Sequence, residues 1–323
     1  MTDPISAPVV NSRFFKEVID GLSRPQKQLP SKYFYDAKGD VLFQEIMNSD
    51  EYYLSRSEME IFSDKTDRFV SLLGMKFERF LLIELGPGDV SKSIHLLSAL
   101  YSERIKFDYI PIDISASTIN FLSSTLPGCF DGLSIRPMNG EYFDMLRSVQ
   151  ETYPETPKVV LCLGGNIANM LPPESEVFCA QLRAVMKPGD MAIIGFDLKK
   201  NPRIIRAAYD DKKGITAAFN LNLLTRMNRE LGANFNIKKF EHYCEYDPET
   251  GSCKSYLVCL EDMKVEIGHA KVFLKKDECV WMEISQKYSC GQIETMAKAT
   301  GFRVTENVFD NKRWFVDSVW TAG

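Results

Sequence analysis

The chain has 323 residues, enough for one large or two modest domains with a sizeable core. Its 39 basic residues against 44 acidic ones leave a net charge of −5, which argues against phosphate-backbone binding as the main activity. No apolar run approaches the ~18 residues needed to span a bilayer. Residues 1–11 also lack the positive charge and apolar stretch of a signal peptide. The expectation is a soluble, cytoplasmic, monomeric protein with no nucleic-acid or membrane partner.

In chain order, residues 1–59 are aromatic-rich and read as helix and loop. From Phe80 to Asp197 short apolar runs alternate with helical periods. Strands are predicted at Phe80–Leu85, Phe107–Ile112, Leu133–Ile135, Lys158–Leu163 and Met191–Phe196. Helices are predicted between them at Ser91–Leu100, Ser115–Leu122, Tyr142–Val149 and Ser175–Met186, with Ser91 and Ser115 as N-caps. The turn Lys187-Pro188-Gly189-Asp190 feeds the fifth strand. Beyond it, helical patterns at Ile204–Tyr209 and Ile215–Leu231 give way to alternating strand patterns at His242–Tyr246, Ser255–Leu260 and Glu283–Tyr288. From Cys290 a helix and two strand-like runs, Arg303–Val308 and Phe315–Trp320, complete the earlier sheet. The fold class is therefore α/β. Residues 60–197 and 286–323 should form a Rossmann-like, doubly wound parallel sheet, and residues 1–59 and 198–285 a second, smaller α+β domain that binds substrate.

Glu84-Leu85-Gly86-Pro87-Gly88-Asp89 closes the first apolar strand. A strand ending at an acidic residue and turning through two glycines lets the backbone press close to a ligand. Asp113 ends the second strand, where a carboxylate accepts hydrogen bonds from both hydroxyls of a ribose. The third glycine of a dinucleotide turn is missing and no basic residue stands in the turn to meet phosphate. The pattern resembles motif I of the class I methyltransferases, which implies S-adenosylmethionine rather than a nicotinamide cofactor.

The eight cysteines include no C-x-x-C pair and the three histidines no H-E-x-x-H, so neither a metal site nor a Ser-His-Asp triad is expected. After the fourth strand, Gly164-Gly165-Asn166-Ile167-Ala168-Asn169 places small residues where loops of a doubly wound sheet face ligand. Asn169 there either donates and accepts toward a substrate or caps the next turn. Glu283 and Ser285 alternate on a strand and share one face, which suits either a ring bearing N–H donors or solvent. Thirteen tyrosines are too many for spacing to select one.

Five stretches together carry a more specific resemblance: Leu29–Asp36, Glu51–Arg56, Ala207–Asp211, Asn228–Ala233 and Glu283–Ser285. From about Phe14 onward the chain resembles the histidine-specific methyltransferases, a family that includes the enzyme trimethylating the histidine α-amine to hercynine in ergothioneine biosynthesis. The resemblance implies that Glu84, Gly86 and Gly88 line the S-adenosylmethionine site, with Lys92 nearby, Asp113 on the ribose and Glu141 and Tyr142 by the adenine. It implies that Asn169 and Tyr209 take the carboxylate and amine end of a free amino acid, with Tyr35 beside the amine. Tyr52, Glu283 and Ser285 would surround the imidazole, with Thr216 and Phe219 near the pocket. Relatives often carry Asp-Phe at Glu141-Tyr142, and a methionine where Ser255 aligns. The expected activity is N-methylation of L-histidine. The alternatives are N-methylation of another small amine or tryptophan-like amino acid, a non-catalytic S-adenosylmethionine-binding protein, and a nicotinamide-dependent dehydrogenase.

Overall fold

The protein is described by a computed structural model over residues 12–323, so the reading of residues 1–11 falls outside the described residues. In chain order the first elements are α1 (Arg13–Ser23), α2 (Ala37–Met47), α3 (Leu54–Asp64), α4 (Thr66–Lys76), β1 (Arg79–Leu85), α5 (Ser93–Ser102) and β2 (Lys106–Asp113). Next come α6 (Ala116–Thr125), β3 (Met138–Asn139), α7 (Tyr142–Thr152), β4 (Lys158–Cys162), α8 (Pro172–Ala184) and β5 (Met191–Asp197). Then follow α9 (Pro202–Tyr209), α10 (Ile215–Leu231), β6 (Phe240–Tyr246), β7 (Ser252–Cys259), β8 (Met263–Ile267), β9 (Ala270–Leu274) and β10 (Cys279–Gln286). The last are α11 (Cys290–Ala299), β11 (Phe302–Phe309) and β12 (Phe315–Ala322). Among the described residues no helix is long and apolar enough to cross a membrane.

The chain forms two compact units. The larger comprises Leu54–Lys199 and Gln286–Gly323; the smaller takes in the chain up to Tyr53 together with Lys200–Ser285. In the larger unit seven strands run in the order β11-β12-β5-β4-β1-β2-β3, and β12 lies antiparallel between β5 and β11. Every residue of β4 and β5 is buried, as expected for parallel strands with helices over both faces. Along β1, Leu81, Ile83 and Leu85 enter one apolar core while Phe80 and Leu82 enter the other, which is the period-two alternation of a pleated strand. This order, with its one antiparallel strand, fits the doubly wound, Rossmann-like sheet expected from the sequence.

The smaller unit holds a three-stranded sheet, β10-β7-β6, and the β8–β9 hairpin, joined to α1, α2 and α10 by one apolar core. Helix α10 buries Phe219, Leu223, Leu224, Met227 and Leu231 along one stripe. Its start is fixed by Asp211, whose carboxylate accepts the N–H groups of Ile215 (2.9 Å) and Thr216 (2.7 Å). Gly232, at φ 62°, ends it in a left-handed cap.

Three expectations need correction, and one element was not foreseen. Leu133–Ile135 is no strand: it makes a single bridge between Ile135 and Tyr109, and Pro137, with no N–H to give, stops the ladder before β3. Ser91 does not cap α5. Lys92 holds that position without a side-chain cap bond, while the Ser91 N–H donates to Asp89 (3.0 Å). The boundary read at 59/60 falls inside α3, whereas the whole helix lies in the larger unit, with Ile61 and Phe62 buried in its core. The β8–β9 hairpin, turned by Gly268-His269, was not anticipated. Ser115 does cap α6, accepting from the Thr118 N–H at 3.3 Å.

Candidate active site

In the larger unit the tips of β1 and β2 are joined: Leu85 pairs with Ile112, and the Gly86 N–H donates to the Ile112 carbonyl at 2.9 Å. The glycine turn and Asp113 are therefore neighbours. Gly86 has φ 67°, and a Cβ there would lie 2.5 Å from the Tyr142 hydroxyl and 3.5 Å from Asn166 Nδ2, so only glycine fits. Gly88 also has positive φ (57°) but faces open space. Val90 follows at φ 56°, a strained conformation for a β-branched residue, in a turn where strain is expected only if it serves a purpose. Asp113 is half-buried, and its carboxylate accepts the Ser115 N–H at 2.8 Å; burial raises its pKa.

Glu84 points inward. It is buried and takes a hydrogen bond from the Tyr109 hydroxyl; burial, only partly offset by that bond, pushes its pKa up to about 6. Its part is thus to hold the floor of the turn. Glu141 is exposed ahead of α7, and Tyr142, whose hydroxyl reaches over Gly86, has its pKa pushed up to about 12 by burial and the Asp113 charge. Lys92 is ion-paired with Glu58 of α3. Asn169 ends a 3-10 turn and is exposed; Leu171, not Asn169, stands at the start of α8, so the capping role does not apply.

In the smaller unit the Tyr209 hydroxyl lies 2.7 Å from Ser285 Oγ, both residues being buried. The Tyr52 and Tyr209 rings meet edge to face at 6.1 Å. Tyr35 packs edge-on against Phe43 and Phe219, with centroids 5.4 and 5.7 Å apart. Its ring leaves 45% of its surface open. Even so, the surrounding protein mass, with the Glu283 and Asp40 carboxylates, holds its phenol above the ordinary pKa. Glu283 and Ser285 lie on β10, and Thr216 and Phe219 are buried on α10. Ser255, on β7, is buried opposite Cys244 of β6.

Three residues near these groups were missed. His242 Nε2 donates to the Tyr209 carbonyl at 2.9 Å, steadying that residue from β6. Glu58 and Asp317 are buried beside Lys92. The available signal was weak: an acid within the apolar stripe of α3, and another within an apolar strand.

The histidine-specific, S-adenosylmethionine-dependent methyltransferase family model matches residues 14–322. The histidine N-alpha-methyltransferase of Mycolicibacterium smegmatis is 30% identical, over 85% of this chain and 83% of that protein. The enzyme of the same name from Mycobacterium tuberculosis is 29% identical, over 95% and 92%. An Aspergillus flavus N-methyltransferase is 26% identical, over 92% and 82%. With a family match along nearly its whole length, and a glycine turn held against Asp113 on a sheet of the right topology, the chain belongs to the histidine-specific, S-adenosylmethionine-dependent methyltransferases.

Proposed function

We propose that the enzyme methylates the α-amine of free L-histidine, in up to three rounds, acting as a cytoplasmic monomer. The observation that carries the reading is the Tyr209–Ser285 hydrogen bond on the strand that bears Glu283, in a chain of this family. Two features support the donor reading: Gly86, where a Cβ would collide with the Tyr142 hydroxyl, and Asp113 beside it with a carboxylate suited to a ribose.

S-adenosylmethionine supplies an electrophilic methyl group on a sulfonium, open to in-line displacement by an amine lone pair. The amine must therefore be neutral when it reacts. Tyr35, with its pKa held above that of an ordinary phenol, keeps its proton at neutral pH. It orients the amine through its hydroxyl rather than acting as base, and the proton leaves through water. Asn169, exposed and free of a capping role, donates to the amino-acid carboxylate. Glu283 and Ser285 select imidazole by offering a carboxylate and a hydroxyl to a ring that carries N–H, groups an apolar side chain cannot pair with.

Incubation with S-adenosylmethionine and a mixture of amino acids, read by mass spectrometry, should place the added methyl groups on histidine. Methylation of tryptophan or another amine instead would assign the substrate to the second reading. No methylated product would overturn both.

A further inference from the structure

A buried carboxylate on α3 has no part in the scheme above. Glu58 of α3 is 1% exposed, and its two oxygens accept the Gly164 N–H at 2.7 and 3.0 Å. The Lys92 ammonium pairs with Oε2 of the same group. Gly195 of β5 leaves room for it, since a Cβ there would lie 2.6 Å from Glu58 Oε1. Glu58 thus ties the loop after β1, which carries Lys92, to the loop after β4, which carries Gly164.

A third charged group completes the cluster. Asp317 stands opposite Gly195 in the β5–β12 register, is fully buried, and has neither carboxylate oxygen hydrogen-bonded. Burial, then repulsion from Glu58, pushes its pKa well above the usual carboxylate range. Lys92 is thus ion-paired with Glu58, with a second acid buried close by. The cluster adjoins the donor loops: a Cβ on Gly164 would lie 3.6 Å from Lys92 Nζ and 3.9 Å from the Asn166 amide, which also neighbours Gly86.

We propose that Glu58 is a positioning residue for methyl-donor binding, fixing the two loops and cancelling the Lys92 charge so that a cationic sulfonium is accepted there. This rests on the reading of these loops as the donor site. S-adenosylmethionine and S-adenosylhomocysteine differ by a methyl group and one positive charge, so the ratio of their affinities reports local charge while a loss of shape weakens both alike.

Removing Glu58 alone leaves the Asp317 carboxyl beside Lys92 to take its place. The informative variant is therefore Glu58→Gln with Asp317→Asn, checked by thermal melting and titrated with both ligands by calorimetry. Its affinity for S-adenosylmethionine should fall about tenfold more than that for S-adenosylhomocysteine, a difference of about 1.4 kcal/mol. Asp317→Asn alone should leave the ratio unchanged, and adding Lys92→Gln to the double variant should restore it. An unchanged ratio in the double variant overturns the proposal, whether both affinities drop together or neither moves. If that variant does not fold, Lys92→Met should shift the ratio toward S-adenosylmethionine by about threefold under the same Coulomb argument, and no shift overturns it. Failure of the unaltered enzyme to bind either ligand would refute the donor-site reading itself and is distinct from these results.

Discussion

Tyr209→Phe removes one oxygen and keeps the ring, so the edge-to-face packing against Tyr52 at 6.1 Å survives. The hydrogen bond to Ser285, 2.7 Å long between two buried residues, is lost. In a site with little water, a hydroxyl that loses such a partner costs about 1–3 kcal/mol. If the bond orients Ser285 toward the substrate, histidine affinity should fall about tenfold, equivalent to about 1.4 kcal/mol. S-adenosylhomocysteine affinity should not change, because the residues proposed to hold it lie in the larger unit, around the ends of β1 and β2. Calorimetric titration of both ligands measures this directly. A double-mutant cycle with Ser285→Ala should give a coupling of about 1 kcal/mol, the double variant being little worse than either single one. Unchanged histidine affinity, or fully additive losses, would show that the bond only holds the fold together.

Glu283→Ala should weaken histidine binding far more than cofactor binding, since it removes the carboxylate set to accept a ring N–H; equal losses for both ligands in calorimetry would contradict this. Gly86→Ala should cost about 1–2 kcal/mol from the left-handed backbone alone. It should also abolish S-adenosylhomocysteine binding by colliding with the Tyr142 hydroxyl, whereas Gly88→Ala, with open space around it, should suffer only the backbone cost. Equal binding defects in the two variants would refute the cradle. Burial lifts the Glu84 pKa from 4.5 to about 6, so folding holds its proton more tightly. The stability this group contributes is present below pH 4.5 and lost as pH rises through about 6, a change of about 2 kcal/mol at ~1.36 kcal/mol per pH unit. Chemical denaturation of Glu84→Gln should lack that decline, and parallel pH profiles for variant and wild type would argue against it.

The proposed donor half of the site was legible because its signals are local. The glycine turn, the strand before it and Asp113 at the next strand end lie within a few dozen residues, and period-two and helical patterns place them on neighbouring strands. For the amino-acid half, composition and spacing chose no tyrosine. Tyr35, Tyr52 and Tyr209 came from family resemblance, and the Tyr209–Ser285 bond joins positions far apart in the chain. Glu58 and Asp317 escaped notice for the same reason: each is unremarkable in its own segment, and the link to Lys92 and Gly164, both singled out in the sequence, arises only when the sheet closes. The β8–β9 hairpin was overlooked because two five-residue runs joined by Gly268-His269 give little periodicity to read.

The position of β12 also bears on how the chain reaches this state. It is an interior strand, bonded to β5 on one side and β11 on the other, with every residue from Phe315 to Ala322 buried. Yet it is made long after β5, and the whole Lys200–Ser285 segment of the smaller unit emerges between them. During synthesis, therefore, an apolar rim of β5 with unsatisfied N–H and C=O groups waits for a partner that has not yet been translated. Nascent chains are most exposed to misassociation in that interval, and folding of the larger unit can be completed only when its last strand slots into the middle of the sheet.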